Sequence, residues 1–286
     1  MSKYNEAFAK FPSVTDEAVK AAVERIVADN YATCNTKEVM KFLIGTIDLT
    51  SLNGADTEES IARFVQTVNE KDGKDPTIPS VAAICVYPNF VKTVRETLTA
   101  GGTKVACVSG CFPASQSFIE VKLAETSLAV RDRADEVDIV LNMAAFLAED
   151  YETASNEIEE QKAACQSAHL KVILETGALK TAEQIRRASI LSLFSGADFI
   201  KTSTGKEYPG ASLEAAYVMC SVLKQYYELY GERRGVKFSG GIRTTEEAIK
   251  YYTIVREVLG EEWLTPELMR IGASSLLGNL EKSIAG

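Results

Sequence analysis

A chain of 286 residues with one histidine, His169, and one tryptophan, Trp263, is poor in the commonest metal-ligating residue type. Cys107 and Cys111 stand four apart, but no second close cysteine pair and no further histidine completes a zinc set. No metal and no cofactor is therefore expected. The longest apolar runs, such as Val81–Tyr87, fall far short of the ~18 residues of a membrane-helix candidate. The opening Met1-Ser2-Lys3-Tyr4-Asn5-Glu6 has no apolar signal core. With these two absences a cytoplasmic protein is expected, with its six cysteines reduced. A basic surplus is also missing: 31 Lys and Arg face 40 Asp and Glu, for a net charge of −9. That excludes a generic nucleic-acid binder, while leaving room for a local basic site for a small anion. Only 18 Gly and 7 Pro exclude a collagen-like chain, and no low-complexity stretch or long linker divides the sequence. What is present, 46% hydrophobic and 25% charged residues, is the composition of a globular protein.

The apolar residues come in short runs that alternate with amphipathic segments. Strands are expected at Ile44–Asp48, Ser80–Tyr87, Lys104–Ser109, Glu136–Asn142, Leu170–Glu175, Asp198–Lys201, Gly235–Ser239 and Arg270–Gly272. Helices follow at about 57–70, 89–100, 117–133, 152–168, 181–195, 212–230, 244–259 and 274–283, and a leading helix, capped by Thr15, spans about 15–32. Central strands such as VAAICVY and KVILE are mostly apolar, as strands buried on both faces are. Eight strand–helix units in this length fit a single (β/α)8 TIM barrel over residues 41–286, behind an N-terminal helical extension over 1–40. The alternative is an open doubly wound sheet; its dinucleotide-binding form is weakened because no GxGxxG follows the first strand.

Barrel active sites lie at the C-terminal ends of the strands, so polar residues there are the candidates. They are Asp48, Asp138, Lys171, Glu175, Lys201 and Lys237. A lone lysine just past a strand end is ordinarily a surface group. Lys201 and Lys237, however, lie in adjacent strands, and each precedes a Gly/Ser/Thr loop. Paired lysines suit Schiff-base catalysis. A second ammonium ~6 Å away costs the charged form about 2.8 kcal/mol at an effective dielectric of ~20, roughly two pKa units. Burial lowers a lysine further, and an aspartate such as Asp138 would keep the second lysine protonated and could relay protons. A second constellation consists of Gly205-Lys206, Gly240-Gly241 and Ser274-Ser275 in the loops after strands six, seven and eight. Glycine turns and helix N-termini bind phosphate, and barrels frequently do so after strands seven and eight.

The segments TIDLTSLN, AAICVYP, EVDIV, KVILETG, DFIKTSTGK, GVKFSGGIRT and GASSLL, in this order over about residues 43–280, closely resemble the deoxyribose-phosphate aldolase family. The resemblance implies a metal-free class I aldolase that reversibly cleaves 2-deoxy-D-ribose 5-phosphate to D-glyceraldehyde 3-phosphate and acetaldehyde. It implies Lys201 as the Schiff-base nucleophile, Lys237 as the cation that lowers its pKa, and Asp138 as the proton-transfer group. It puts Lys171 in their polar network, and Asp48 and Thr50 at the sugar end of the pocket. Gly205, Lys206, Gly240, Gly241, Ser274 and Ser275 would hold the phosphate. The partner would be a small phosphorylated sugar, with no nucleic acid or membrane, and the assembly a homodimer or higher homo-oligomer. Cys85 matches a family cysteine near the site. Some family members end in a tail whose terminal tyrosine assists proton transfer; this chain ends Glu281-Lys282-Ser283-Ile284-Ala285-Gly286. That step is then left to Asp138, Lys237 and water, or to a substitute. Two other readings stay open: another Schiff-base lyase or transaldolase, and a catalytically silent sugar-phosphate-binding barrel. His169 is expected to be structural or exposed, Trp263 and Tyr226, Tyr227 and Tyr230 to pack helices, and the charged run Glu157–Lys162 to form a solvated helix face.

Overall fold

The computed structural model describes residues Lys3–Gly286. Three helices come first: α1 (Lys3–Ala9), α2 (Asp16–Cys34) and α3 (Lys37–Ile44). Eight strands then alternate with helices: β1 (Ile47–Thr50), α4 (Glu58–Asn69), β2 (Ala83–Val86), α5 (Val91–Thr97), β3 (Lys104–Val108), α6 (Ile119–Arg131) and β4 (Glu136–Val140). A short α7 (Met143–Leu147) precedes α8 (Tyr151–Ala164), β5 (His169–Ile173), α9 (Ala182–Phe194), β6 (Phe199–Lys201) and α10 (Leu213–Tyr230). The chain closes with β7 (Gly235–Ser239), α11 (Thr245–Leu259), β8 (Met269–Ala273) and α12 (Leu276–Ala285). All neighbouring strands are parallel, and β8 pairs with β1 to close the barrel. Following the paired residues once around gives a stagger of eight residues, the shear of (β/α)8 barrels.

The strand positions agree with the sequence expectation within three residues, and four of the expected strands, those ending at Ser109, Glu175, Lys201 and Ser239, are followed directly by Gly or Thr. Helix starts are set by side-chain caps: Thr57, Thr181, Ser212 and Thr244 each accept a hydrogen bond from the backbone N–H three residues on. At α11 the cap is reciprocal, with Glu247 accepting from the Thr244 N–H at 2.9 Å. Three helices were not legible in the sequence: α1, α3 and α7 span seven, eight and five residues, too short for a clear period. The first strand accordingly starts at Ile47 rather than Ile44, which ends α3, and the division drawn at residue 40 falls inside that helix.

Along each strand the residues alternate between two environments. Ile47, Leu49, Ile84, Val86, Val105, Val137, Ile139, Leu170, Val172, Ile200, Val236, Phe238 and Ile271 pack outward against the helices in one large core. The inward positions divide. Ala83, Cys85, Ala106 and Val108 form a separate apolar cluster with Leu52, while the other strands carry charged residues inward. Gly235 is required here: a Cβ on it would stand 2.2 Å from the Phe199 ring, which fills that part of the barrel. The N-terminal segment is anchored on the outside, where Arg186 Nη1 donates to the carbonyls of Phe8 and Phe11 at 3.0 and 3.2 Å. The run Glu157–Lys162 is solvated at Glu159 and Glu160 but not throughout. Glu157 accepts from the fully buried Lys122 ammonium at 2.7 Å and from Asn142 at 2.7 Å, and Ile158 and Gln161 are buried. His169 is exposed at the start of β5, and Trp263 packs edge-on against Tyr227 with ring centroids 5.4 Å apart.

Candidate active site

Inside the barrel, seven charged side chains from six strands meet. Asp138 is the hub: its Oδ2 lies 2.8 Å from Lys201 Nζ and 2.7 Å from Lys237 Nζ, and its Oδ1 3.0 Å from Lys171 Nζ. The strand register explains the meeting. Asp138 pairs with Lys171 across β4–β5, and Lys201 with Lys237 across β6–β7. Asp48 lies between Lys237, at 2.6 Å, and Arg270, at 2.7 Å. Glu136, two residues before Asp138 and on the same face, binds Lys171 at 2.5 Å and Arg270 at 2.8 Å. Phe199 underlies these charges, with Lys171 Nζ and Arg270 Cζ 5.9 and 5.8 Å from its ring centroid.

Burial of so much charge separates the titration of the three lysines. Burial, helped by the positive charge of Lys237, outweighs Asp138 and lowers the pKa of Lys201 from the ordinary 10.5. Burial opposes the charge on Lys237 as well, but Asp138 and Asp48 outweigh it and hold this ammonium well above the ordinary value. Lys171 is likewise raised against burial by Asp138, Glu136 and Asp48. Burial alone would raise Asp138, yet the three lysines hold its carboxyl well below the usual carboxylate range. The Cys85 thiol is pushed up by burial and stays neutral. Among adjacent lysines, one is thus shifted toward the amine and two toward the cation.

Above this layer opens a cavity of about 260 Å3 bordered by Lys201 together with Thr50, Gly205, Lys206, Gly240, Gly241, Ser274 and Ser275. Lys201 is the one member of the charged layer that borders it; Asp48, Asp138, Lys171 and Lys237 lie beneath, at most 1% exposed. Asp48 and Lys171, expected in the pocket, therefore reach it only through the lysines and carboxylates they bind. Two loops form the cavity's glycine-rich wall. Gly205, Gly240 and Gly241 adopt φ of +73°, +89° and +86°, conformations that side chains resist. The loops touch: a Cβ on Gly210 would stand 2.0 Å from the carbonyl oxygen of Gly240. Thr202 and Ser239 tie them together, since Ser239 N–H donates to Thr202 Oγ1 at 2.9 Å and Ser239 Oγ to the Ser203 carbonyl at 2.6 Å. Lys206 Nζ donates to the Leu52 carbonyl at the rim. Ser274 and Ser275 are exposed at the start of α12, so a helix N-terminus faces the same space. The opposite side of the barrel mouth is apolar, with the Tyr87 and Phe112 rings 6.4 Å apart beside the Cys85 cluster.

Sequence reasoning missed Glu136 and Arg270, although the period of two was available to find them: Glu136 shares the face of Asp138, and Arg270 stands opposite Lys237 in the register. It also passed over Arg243, which borders the cavity, and gave no role to Glu175. That residue adopts φ +52° and accepts from the Thr204 N–H and Oγ at 3.2 and 2.6 Å, fixing the loop that follows Lys201.

Comparison with known proteins identifies the family. The family model described as DeoC/LacD family aldolase matches residues 42–276. The Homo sapiens deoxyribose-phosphate aldolase is 37% identical over 287 residues, covering 96% of this chain and 88% of that protein. Among solved structures, the aldolase QR15 is 34% identical with a TM-score of 0.70, covering 85% of this chain and 96% of that one. The deoxyribose phosphate aldolase from Aeropyrum pernix, described as tetrameric, is 25% identical with a TM-score of 0.65, covering 91% and 95%. A match that runs through all eight strands, from β1 to the start of α12, shows that this chain belongs to the DeoC/LacD family of aldolases.

Proposed function

We propose that the protein is a class I aldolase that reversibly cleaves 2-deoxy-D-ribose 5-phosphate to D-glyceraldehyde 3-phosphate and acetaldehyde. The observation that carries this reading is one buried lysine with a lowered pKa, between two lysines held as cations, at the edge of a glycine-lined cavity. Lys201 attacks the sugar aldehyde at C1 and, with loss of water, forms an iminium. The iminium is an electron sink, so the C2–C3 bond breaks as the C3 hydroxyl gives up its proton, and no metal is needed. Glyceraldehyde 3-phosphate leaves; the remaining enamine takes a proton at C2, and water releases acetaldehyde. Asp138 and Lys237 carry the protons, through water where they do not reach the substrate directly. The Gly205-Lys206, Gly240-Gly241 and Ser274-Ser275 loops hold the phosphate, and Thr50 lies on the sugar's path to Lys201.

The N-terminal helices form an extension to the barrel rather than a separate unit, since α2 packs on α9, α10 and α11. A homo-oligomer is supported by the tetrameric relative and by Phe118, 78% exposed at the start of α6. A cytoplasmic setting is supported by six free thiols and by the absence, among the described residues, of any helix long and apolar enough to cross a membrane.

Incubation with deoxyribose 5-phosphate, reduction with borohydride and peptide mapping by mass spectrometry tests the reading. The expected adduct is on Lys201. An adduct on Lys237 would exchange the roles of the two lysines; a folded protein that binds the sugar without any adduct would leave only a binding function.

A further inference from the structure

The buried cluster contains three carboxylates, Asp48, Glu136 and Asp138, and four basic side chains, Lys171, Lys201, Lys237 and Arg270, none more than 4% exposed. Charges so far from water are tolerated only when paired. Three cations satisfy three carboxylates, and the fourth is a surplus. Arg270 cannot release its proton, so the surplus must fall on a lysine. The contacts decide which. Lys171 has three carboxylates within 3.6 Å, Lys237 has two within 2.7 Å, and Lys201 has Asp138 alone.

We propose that Arg270 and Glu136 are positioning residues that set the charge count of this cluster, and thereby assign the missing proton to Lys201. This rests on the reading of Lys201 as nucleophile and adds the device that keeps it an amine. Neither residue borders the cavity, and both act from the floor of the barrel. Arg270 bridges Asp48 and Glu136 through Nη1 and Nη2, and its Nε donates to the Pro266 carbonyl. Without the Arg270 charge, the three lysines would balance the three carboxylates and Lys201 would keep its proton. Without the Glu136 charge, the surplus would double and Lys201 would lose its proton at lower pH. The other groups around Lys201 do not change this comparison. Cys85 on β2 is a neutral thiol, and the inward residues of β3, Ala106 and Val108, carry no charge. Glu175 after β5 is buried and acts on Lys201 through space, but it is bonded to Thr204 and has no basic group within ion-pair distance, and it is the same in every variant compared below.

The test is the rate of adduct formation on Lys201 with acetaldehyde and cyanoborohydride, measured as a function of pH. Acetaldehyde carries no phosphate, so the loops above play no part. Trapping rises with the free-amine fraction, and the midpoint of that rise is the readout. Arg270→Gln is expected to move the midpoint up by about one pH unit, slowing trapping about tenfold below it. Glu136→Gln is expected to move it down by about one unit. Arg270→Lys, which keeps the charge, should leave it near the wild-type value, and so should the charge-balanced double variant Glu136→Gln/Arg270→Gln. A merely structural role would damage both single variants alike and move neither midpoint in an opposite sense. If Arg270→Gln does not fold, the acid shift of Glu136→Gln and its cancellation in the double variant carry the same comparison. Shifts in one direction, or none, with wild-type Lys201 still trapped, would overturn the proposal alone. Failure of wild-type trapping would overturn the nucleophile assignment instead.

Discussion

Lys201 is an ordinary lysine placed where its charge is expensive. It stands directly opposite Lys237 in the β6–β7 register, and Asp138 is its only carboxylate within ion-pair distance. The same desolvation acts on Lys171 and Lys237, but their additional carboxylates reverse its effect. Chemical difference among identical side chains thus comes from the number of oxygens each one reaches. Replacement of Lys201 by leucine keeps the bulk of the side chain and removes the amine. Lys201→Leu is expected to give no borohydride adduct and to lower turnover by about ten-thousand-fold or more. Its affinity for inorganic phosphate, measured by titration calorimetry, should stay within about threefold of wild type, because the loops that border the cavity above do not depend on the amine. A large loss of phosphate affinity would show that nucleophile and cradle are not separable.

At the scale of elements, the site is built by loops held against one another. The loop from β6 to α10 and the loop from β7 to α11 approach so closely that only glycine fits at Gly210 and Gly240. The Ala211 N–H donates to the carbonyls of Ser239 and Gly240 at 3.1 and 3.0 Å, which fixes that approach. Gly210→Ala would put a methyl group into a backbone oxygen and force the loops apart, at a cost of about 1–3 kcal/mol. The expected result is a KM for the sugar phosphate raised about tenfold, with trapping by acetaldehyde nearly unchanged, since the lysine layer lies below. Equal KM values for Gly210→Ala and wild type would argue against these loops as the phosphate cradle.

The whole molecule carries the cost and the benefit of its charged interior. Asp48 and Asp138 have folded pKa values below their ordinary ones, so the stability they contribute is present above about pH 4 and is lost as pH falls through the folded values. Lys171 and Lys237 are raised, so their contribution is complete below about pH 10 and is lost only as pH rises through the higher folded values. Lys201 is opposite in sign. Its folded pKa is below 10.5, so the unfolded chain binds the extra proton between the two values, and stability rises with pH across that window. Denaturant unfolding at several pH values should show this alkaline rise in wild type and its disappearance in Lys201→Leu. A rise of equal size in both proteins would assign it to another group.

Alternation of apolar runs with capped helices, and the Gly, Ser and Thr that follow the strands of Lys201 and Lys237, determined the barrel and the loops of its site from the sequence alone. Those signals are local: a period, a cap and a turn are read within about a dozen residues. The lysines and Asp138 were legible for the same reason, as charges interrupting apolar strands beside flexible loops. Glu136 and Arg270 were not, because a charged residue near the start of a strand reads as surface until the register brings the two together across the barrel. Glu157 was misread for the same cause, since its partner Lys122 lies on another helix. Which lysine loses its proton was likewise a tertiary matter. It depends on how many carboxylates lie within ion-pair distance of each Nζ, and those distances exist only once all eight strands have closed.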